Sequence, residues 1–286
     1  MSEQSGRVVR LIELEKLIPF EKHPFVVRED EQMKMLVNSI RDVGVLVPGI
    51  VRPLYDDTFE IISGHRRKKA CEIVGLPYMP VIVQDVDLDT ATIIMVDSNF
   101  QREALLPSER ARAYKMKLEA IKRQGCRNDL TSDQVGQKSA RKTSRDLIAS
   151  DSPDSSTQIQ RYLRLNELIP GLLRLVDEGR IALTPAVELS FLSTEEQKLL
   201  LITIESEEST PSLSQSQRMK KLSQHGDLSD EAILAIMLEQ KKPEAWNLTL
   251  PINRISKYFP PSYTPHHMEE TIIKLLDSWK RNRQSH

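Results

Sequence analysis

The sequence predicts an α+β chain: a small N-terminal α/β domain, then an all-α helix-turn-helix domain and a helical C-terminal segment. Three observations carry this. Short β-branched runs alternate with helical spacings over residues 1–105. Strand signals nearly vanish after Pro107, and a short helix, a polar turn and a polar-faced helix follow near 144–168. At 286 residues the chain is long enough for about two domains. The expected divisions are 1–105, 106–210 and 211–286.

Residues 7–20 alternate through Val8, Val9, Leu11, Ile12 and Leu14 to Leu17-Ile18-Pro19, a short strand closed by a proline turn. Met33, Leu36, Val37 and Ile40 recur at helical spacing up to Gly44. Val45 to Val51 reads as a strand interrupted by Pro48, Asp56-Asp57 as a turn, and Phe59 to Ile62 as the strand feeding Gly64. A helix from Arg66 ends at Gly75, Met79 to Val83 is another strand, and Thr90 to Asn99 a helix. Ser108 to Gln124 is a long amphipathic helix with Ser108 as its expected cap and Glu109 in its first turn. Within the polar stretch 126–157, Ser132 to Ser139 and Ser144 to Ala149 have helical spacing. Ser155 to Leu168, Pro170 to Glu178, Pro185 to Leu192 and Thr194 to Glu205 are further helices. Residues 206–216 read as a linker or capped loop, 229–241 as a helix, and 243–251 as extended. Met268 to Lys280 closes the chain with an apolar stripe.

Lys and Arg total 40 against 41 Asp and Glu, so a nucleic-acid surface has to be a local patch. Residues 107–180 supply one, with 15 Lys or Arg against 10 Asp or Glu. An aromatic content of 5% argues against a stacking platform for single strands. Two cysteines without a pairing pattern, Cys71 and Cys126, point to a reducing compartment. With no apolar stretch of membrane-spanning length, the expectation is a soluble cytosolic protein without a membrane partner.

The most informative run is Ile61-Ile62-Ser63-Gly64-His65-Arg66-Arg67-Lys68-Lys69. A strand ends at a glycine, and cationic groups follow on a helix start, where free N–H groups form an anion site. Two Arg forks and two Lys suit a polyphosphate, either a nucleoside triphosphate or a nucleic-acid backbone. The plainer account is a solvated basic helix face. In Asp97-Ser98-Asn99-Phe100-Gln101-Arg102-Glu103, amides flank an Arg just before the long helix. Asn and Gln can read a base edge or hold a hydrated metal, and Arg102 can take a phosphate; alone, an ordinary polar C-cap describes the run better. In the helix-turn-helix pattern, Ile159, Tyr162, Leu163 and Leu165 hold the second helix to the core, while Arg145, Ser155, Ser156, Thr157, Gln158 and Arg161 are candidate DNA contacts. A merely structural helical hairpin is the alternative. Catalytic signatures are missing: His266-His267 lacks metal-ligand spacing, and no G-x-S-x-G, Walker A loop or paired CxxC occurs. Cys71 lies in a basic stretch that lowers a thiol pKa, though most such cysteines are packed and inert.

In this order the segments resemble the ParB/Spo0J/RepB family of DNA-partition proteins over residues 7 to about 205. The carriers are His23-Pro24-Phe25 with Arg28, Gly64-His65-Arg66-Arg67-Lys68-Lys69-Ala70, Ser98-Asn99-Phe100-Gln101-Arg102 with Leu106-Pro107-x-Glu109, the helix-turn-helix, and Glu178-Gly179-Arg180-Ile181. The resemblance implies a ParB/sulfiredoxin-like N-terminal domain and a CTP- and Mg²⁺-dependent clamp on double-stranded DNA. It further implies a homodimer joined near Met268 to Lys280, a ParA-type ATPase partner, and a cytoplasmic place on nucleoid or plasmid. Carried over, Arg28, Gly64, His65, Arg66, Arg67, Asn99, Gln101 and Arg102 form the nucleotide site, with Asn99 at the metal. Two departures remove negative charge there: His65 and Ser98 stand where the family has acidic residues. Nucleotide binding with weak or absent CTPase activity is the expectation. Asp154-Ser155-Ser156-Thr157 replaces a basic helix start, and Thr184-Pro185-Ala186-Val187 replaces a later Gly-His-x-Arg region. Both point to a DNA site of its own and to a plasmid or conjugative-element type. The alternative function is a transcriptional or replication repressor using the same helices without a nucleotide switch. A sulfiredoxin-like reductase is disfavoured because Ser63-Gly64 occupies the place of the reactive cysteine.

Overall fold

A computed structural model describes residues 8–100, 105–131, 148–149, 152–239, 252–260 and 262–284. It separates into two units, residues 1–239 and residues 240–286. The first unit is the α/β domain followed by helices that the sequence predicts.

Five strands form one mixed sheet: β1 (Val9–Glu13), β2 (Leu17–Pro19), β3 (Gly49–Pro53), β4 (Phe59–Ser63) and β5 (Tyr78–Val83), in the order β1-β5-β3-β4-β2. β5 runs parallel to β3 and antiparallel to β1, while β4 runs antiparallel to β3 and parallel to β2. A 3₁₀ turn, Leu14–Lys16, lets one chain segment supply both edge strands. Asp56 and Asp57, at φ 61° and 57°, make the tight β3–β4 turn, a conformation Asp tolerates better than most residues.

Strand alternation distributes the core over two faces. Val51, Ile61, Met79 and Val81 meet α1 (Glu31–Val43) and α2 (His65–Val74) through Met33, Val37, Ile40, Ala70 and Cys71. Ile62 points the other way, toward α3 (Leu88–Phe100) and α4 (Pro107–Thr131), joining Phe20, Met95, Phe100, Tyr114 and Ile159. A register shift between Ile50 and Val51 bends the sheet beside the Gly64 turn.

Downstream helices are α5 (Ser156–Leu165), α6 (Pro170–Asp177), α7 (Leu183–Leu189), α8 (Thr194–Ser206), α9 (Leu213–His225) and α10 (Asp230–Leu238). They enclose a core of Leu165, Leu172, Leu189, Leu200, Met219 and Ile233. α9 and α10, which the sequence puts in the C-terminal segment, therefore pack inside the helical layer. The second unit holds α11 (Ile252–Ile255), a 3₁₀ turn and α12 (Pro265–Gln284), on which Ile273, Leu275, Leu276 and Trp279 are exposed.

Two local expectations are corrected. The apolar run Val45–Val47 is a loop, and its strand begins only at Gly49, after Pro48, which has no N–H to give a ladder. Ser108 does not cap α4: Pro107 opens that helix, and Glu109 Oε2 accepts from Leu106 N at 3.0 Å. Of the two readings of 206–216, the capped loop is the one that holds, because Ser212 caps α9 in a reciprocal capping box with Gln215; the helix that follows, Leu213–His225, is one the sequence reading does not give. The helical candidate 132–139, most of 144–149, and the extended stretch 243–251 lie outside the described residues.

Candidate functional site

A cavity of about 430 Å³ opens where the C-terminal half of α1, the loop 44–47, the Ser63-Gly64 turn and the end of α3 converge. Its wall includes Gly64, Arg66, Arg67, Ser98 and Asn99. Two separate sequence runs thus meet, since β4 delivers one to the cavity and α3 the other.

Gly64 is held at φ 116°, a backbone conformation that L side chains rarely adopt. A Cβ there would sit 3.2 Å from Gly49 Cα and 3.5 Å from the Arg67 guanidinium. No side chain caps the first turn of α2 and no acid lies in it, so that end keeps its positive character. Arg66 donates to Asp30 Oδ1 at 2.9 Å, and Asp30 in turn caps α1 by accepting from Met33 N at 2.8 Å. The Met33 N–H, with Arg66 adding to it, holds the Asp30 carboxyl below its usual range. Arg67 donates to the carbonyls of Val47 and Pro48, which shapes the cavity's loop wall. Burial lowers the Arg67 pKa, and a polyanion entering the cavity would oppose that.

Asn99 is buried, its Nδ2 donating to Met95 O at 2.8 Å, while Ser98 Oγ donates to the same carbonyl at 3.0 Å. Asn99 thereby keeps its amide oxygen for a ligand. Among the described residues, no Asp or Glu lines the cavity. The described wall suits an anion and presents, among the described residues, no carboxylate to activate water.

Two predicted residues lie elsewhere. His65 Nε2 accepts from Phe20 N at 3.2 Å, and its ring lies tilted against His23 with centroids 3.9 Å apart, so it braces the loop behind α2 rather than the cavity wall. Arg28 faces the buried Glu109 carboxylate at 3.8 Å, which also accepts from Val26 N at 2.9 Å. Gln101 and Arg102 lie outside the described residues. Sequence reasoning missed Asp30, whose N-cap position before the Met33 spacing was the available signal. Cys71 is buried, and burial pushes its thiol pKa up, not down.

In α5 the Ser155 hydroxyl accepts from Gln158 N at 3.3 Å as the N-cap. Thr157 and Arg161 are exposed, as is Gln160, which the sequence reading passed over although it shares their helix face. Ser156 and Gln158 are half-buried at its flank, and Arg145 is outside the described residues. Asp154, just before the cap, binds Arg110 at 2.8 Å and Tyr114 Oη at 2.6 Å, both from α4. α4 is in turn tied to α3 by Asp89–Arg123 at 2.7 Å and Asp97–Lys117 at 2.5 Å. A continuous set of contacts runs from the cavity's α3 wall to the start of α5.

Residues 1–100 match the family described as the ParB N-terminal domain. Among curated proteins, the chain is 34% identical over 182 residues to the probable chromosome 1-partitioning protein ParB of Deinococcus radiodurans, covering 64% of this chain and 56% of that one. It is 30% identical over 197 residues to a nucleoid occlusion protein of Listeria innocua, covering 68% and 62%. The chain therefore spans about three-fifths of the length of these relatives. Among solved structures, it is similar to the C-terminally truncated ParB of Caulobacter crescentus complexed to the centromeric parS site (TM-score 0.45, 21% identity, 74% of this chain and 98% of that one). The same protein complexed with CTP-γ-S gives a TM-score of 0.32 at 24% identity, covering 69% and 99%.

Proposed function

The chain belongs to the ParB family, and from that premise we propose that it is a sequence-specific DNA-binding partition protein, switched by CTP as a dimeric clamp with weak or absent hydrolysis. One observation carries the reading: Gly64, Arg66, Arg67 and Asn99 meet in a single cavity whose described wall has no carboxylate. The N–H groups at the start of α2 and the two Arg forks would hold the phosphates, and Gly64 lets the backbone approach them. Arg66 is held by Asp30, and a more highly charged anion in the cavity would compete for it. Without an acid to position water, the cavity favours holding a triphosphate over cleaving it.

Magnesium fits only as the escort of that triphosphate. Among the described residues no group of three His, Cys, Asp or Glu could cage a metal, and the free donor is the Asn99 amide oxygen. Asn99 would hold the ion, and the ion would offset phosphate charge. α5 would read the DNA through Thr157, Gln160 and Arg161, while Ser155 and Ser156 at the helix start suit a phosphate. The α3–α4 ties, together with Arg110 and Tyr114 on Asp154, would carry the state of the cavity to that helix. Dimerisation through Met268 to Lys280, a ParA-type ATPase partner and a cytoplasmic, nucleoid- or plasmid-associated location belong to the same reading. The plasmid or conjugative-element assignment rests on the sequence departures at 154–157 and 184–187. Among the described residues, no helix is long and apolar enough to cross a membrane.

The test is equilibrium binding of CTP, with ATP, GTP and UTP as controls, with and without magnesium, to the wild type and to Arg66→Ala. Selective CTP binding that the variant loses is the expected result. No binding under any condition would leave the static repressor as the better account.

A further inference from the structure

Among the described helices of eight or more residues, α5 and α9 alone contain no Asp or Glu. That is unexpected in a chain with a formal net charge of −1. α9 carries Gln217, Lys220, Lys221 and Gln224 at i, i+3, i+4 and i+7, and all four line one shallow pocket with Glu188 of α7. The two helices meet at Phe191. The Arg164 guanidinium lies 4.0 Å from the centre of that ring, and the Lys220 ammonium 3.7 Å from it. Arg164 is the last member of the outward α5 face that holds Thr157, Gln160 and Arg161. Cationic groups therefore line a path from α5, over Phe191, onto α9, with Glu188 of α7 the acid set beside Lys220.

We propose that α9 is a second duplex-DNA contact, a phosphate-gripping arm that continues the α5 interface through the Arg164–Phe191–Lys220 stack. The proposal rests on the DNA-binding reading of α5 and adds a surface to it. Gln217 to Gln224 extend about 10 Å along the helix, long enough to follow a few backbone phosphates. Lys and Gln donors without an acceptor carboxylate on the same helix suit phosphate oxygens, and contacts made to phosphate carry no base information. Arg164 uses two N–H groups on Ser190, one on Oγ at 3.2 Å and one on the carbonyl, which fixes its fork while leaving N–H donors for an anion. Phe191 keeps both cations extended rather than folded back. Glu188, at 2.7 Å from Lys220, is the acid among the residues lining this pocket, and it holds part of the grip in check.

The experiment measures binding to a random-sequence duplex longer than two helical turns, across a salt series, by fluorescence anisotropy on the full chain. Lys220→Gln/Lys221→Gln is expected to weaken binding several-fold and to lower the slope of log K against log salt by about one to two, near 0.9 for each phosphate no longer neutralised. Glu188→Gln should do the opposite, tightening binding and steepening the slope. That second variant decides the matter if the double variant folds poorly. Arg161→Gln is the control for α5. If it weakens binding while the α9 and Glu188 variants keep wild-type affinity and slope, α9 is no part of the interface and the proposal fails alone. If the wild type binds no duplex, the DNA reading fails and this proposal with it.

Discussion

The Lys117 ammonium, on a side chain only 2% exposed, meets the Asp97 carboxylate at 2.5 Å, one residue before the Ser98-Asn99 wall of the cavity. A buried cation tolerates its site only while that partner is charged and in place. Asp97→Ala should therefore cost about 3 kcal/mol in urea denaturation, the lower end for breaking a buried pair, since Asp97 itself is partly exposed. Lys117→Met, which removes the charge and keeps the bulk, should cost less than about 1 kcal/mol. If the Met variant proved the less stable of the two, burial of the cation would not be the controlling term.

Gly64→Ala would place a Cβ 3.2 Å from Gly49 Cα on a backbone held at φ 116°. A strain of about 1–3 kcal/mol is expected, together with loss of the nucleotide's approach to α2. Thermal melts and CTP calorimetry on the same sample check both. Gly75→Ala is the contrast, because nothing lies within 4 Å of its added Cβ and only the strain of φ 82° remains. It should destabilise without touching nucleotide affinity.

Asp30 gives a pH dependence whose sign follows from its bonds. The Met33 N–H first, then Arg66, lower its pKa below the ordinary 3.8. The stability it adds is thus present above 3.8 and is lost as pH falls through the lower folded value. Asp30→Asn keeps a cap but no charge. Its deficit against wild type should be visible at about pH 6 and should shrink by about pH 3. A deficit unchanged across that range would remove the carboxylate from the account.

Cys71 is buried between sheet and helix, and burial, with Glu72 adding to it, raises its thiol pKa against the pull of Arg67. In a Cys126→Ser background, a thiol reagent at neutral pH should leave the native protein unlabelled and react only once denaturant opens the core. Rapid native labelling would show a reactive thiolate instead.

The sequence disclosed what local chemistry dictates. A β-branched run, then glycine, then a cationic helix start could hardly be anything but the β4–α2 turn, and the Met33–Ile40 spacing marked α1. Positions set by partners far along the chain were illegible. His65 is adjacent in sequence to Arg66, yet Phe20 N claims its ring. Arg28 turns to Glu109 because Val26 N and Leu106 N already converge on that carboxylate. Val45–Val47 has strand composition but forms a loop, with the Val47 carbonyl taken by Arg67. α9 was obscured for another reason: its Ser- and Gln-rich start resembles a linker until the Ser212–Gln215 capping box is seen.

The core that joins Ile62, Met95 and Phe100 to Tyr114, Ile148 and Ile159 straddles the point where the family's N-terminal domain stops at residue 100. Cut there, the fragment would retain its sheet and α3 but lose Tyr114, Ile148 and Ile159, which complete the core around Met95 and Phe100, and the face of α3 they cover would meet water. Such a piece would be sticky and would self-associate. In this chain residues 1–100 share a core with the helices that follow, so neither part can be swapped as an independent cassette.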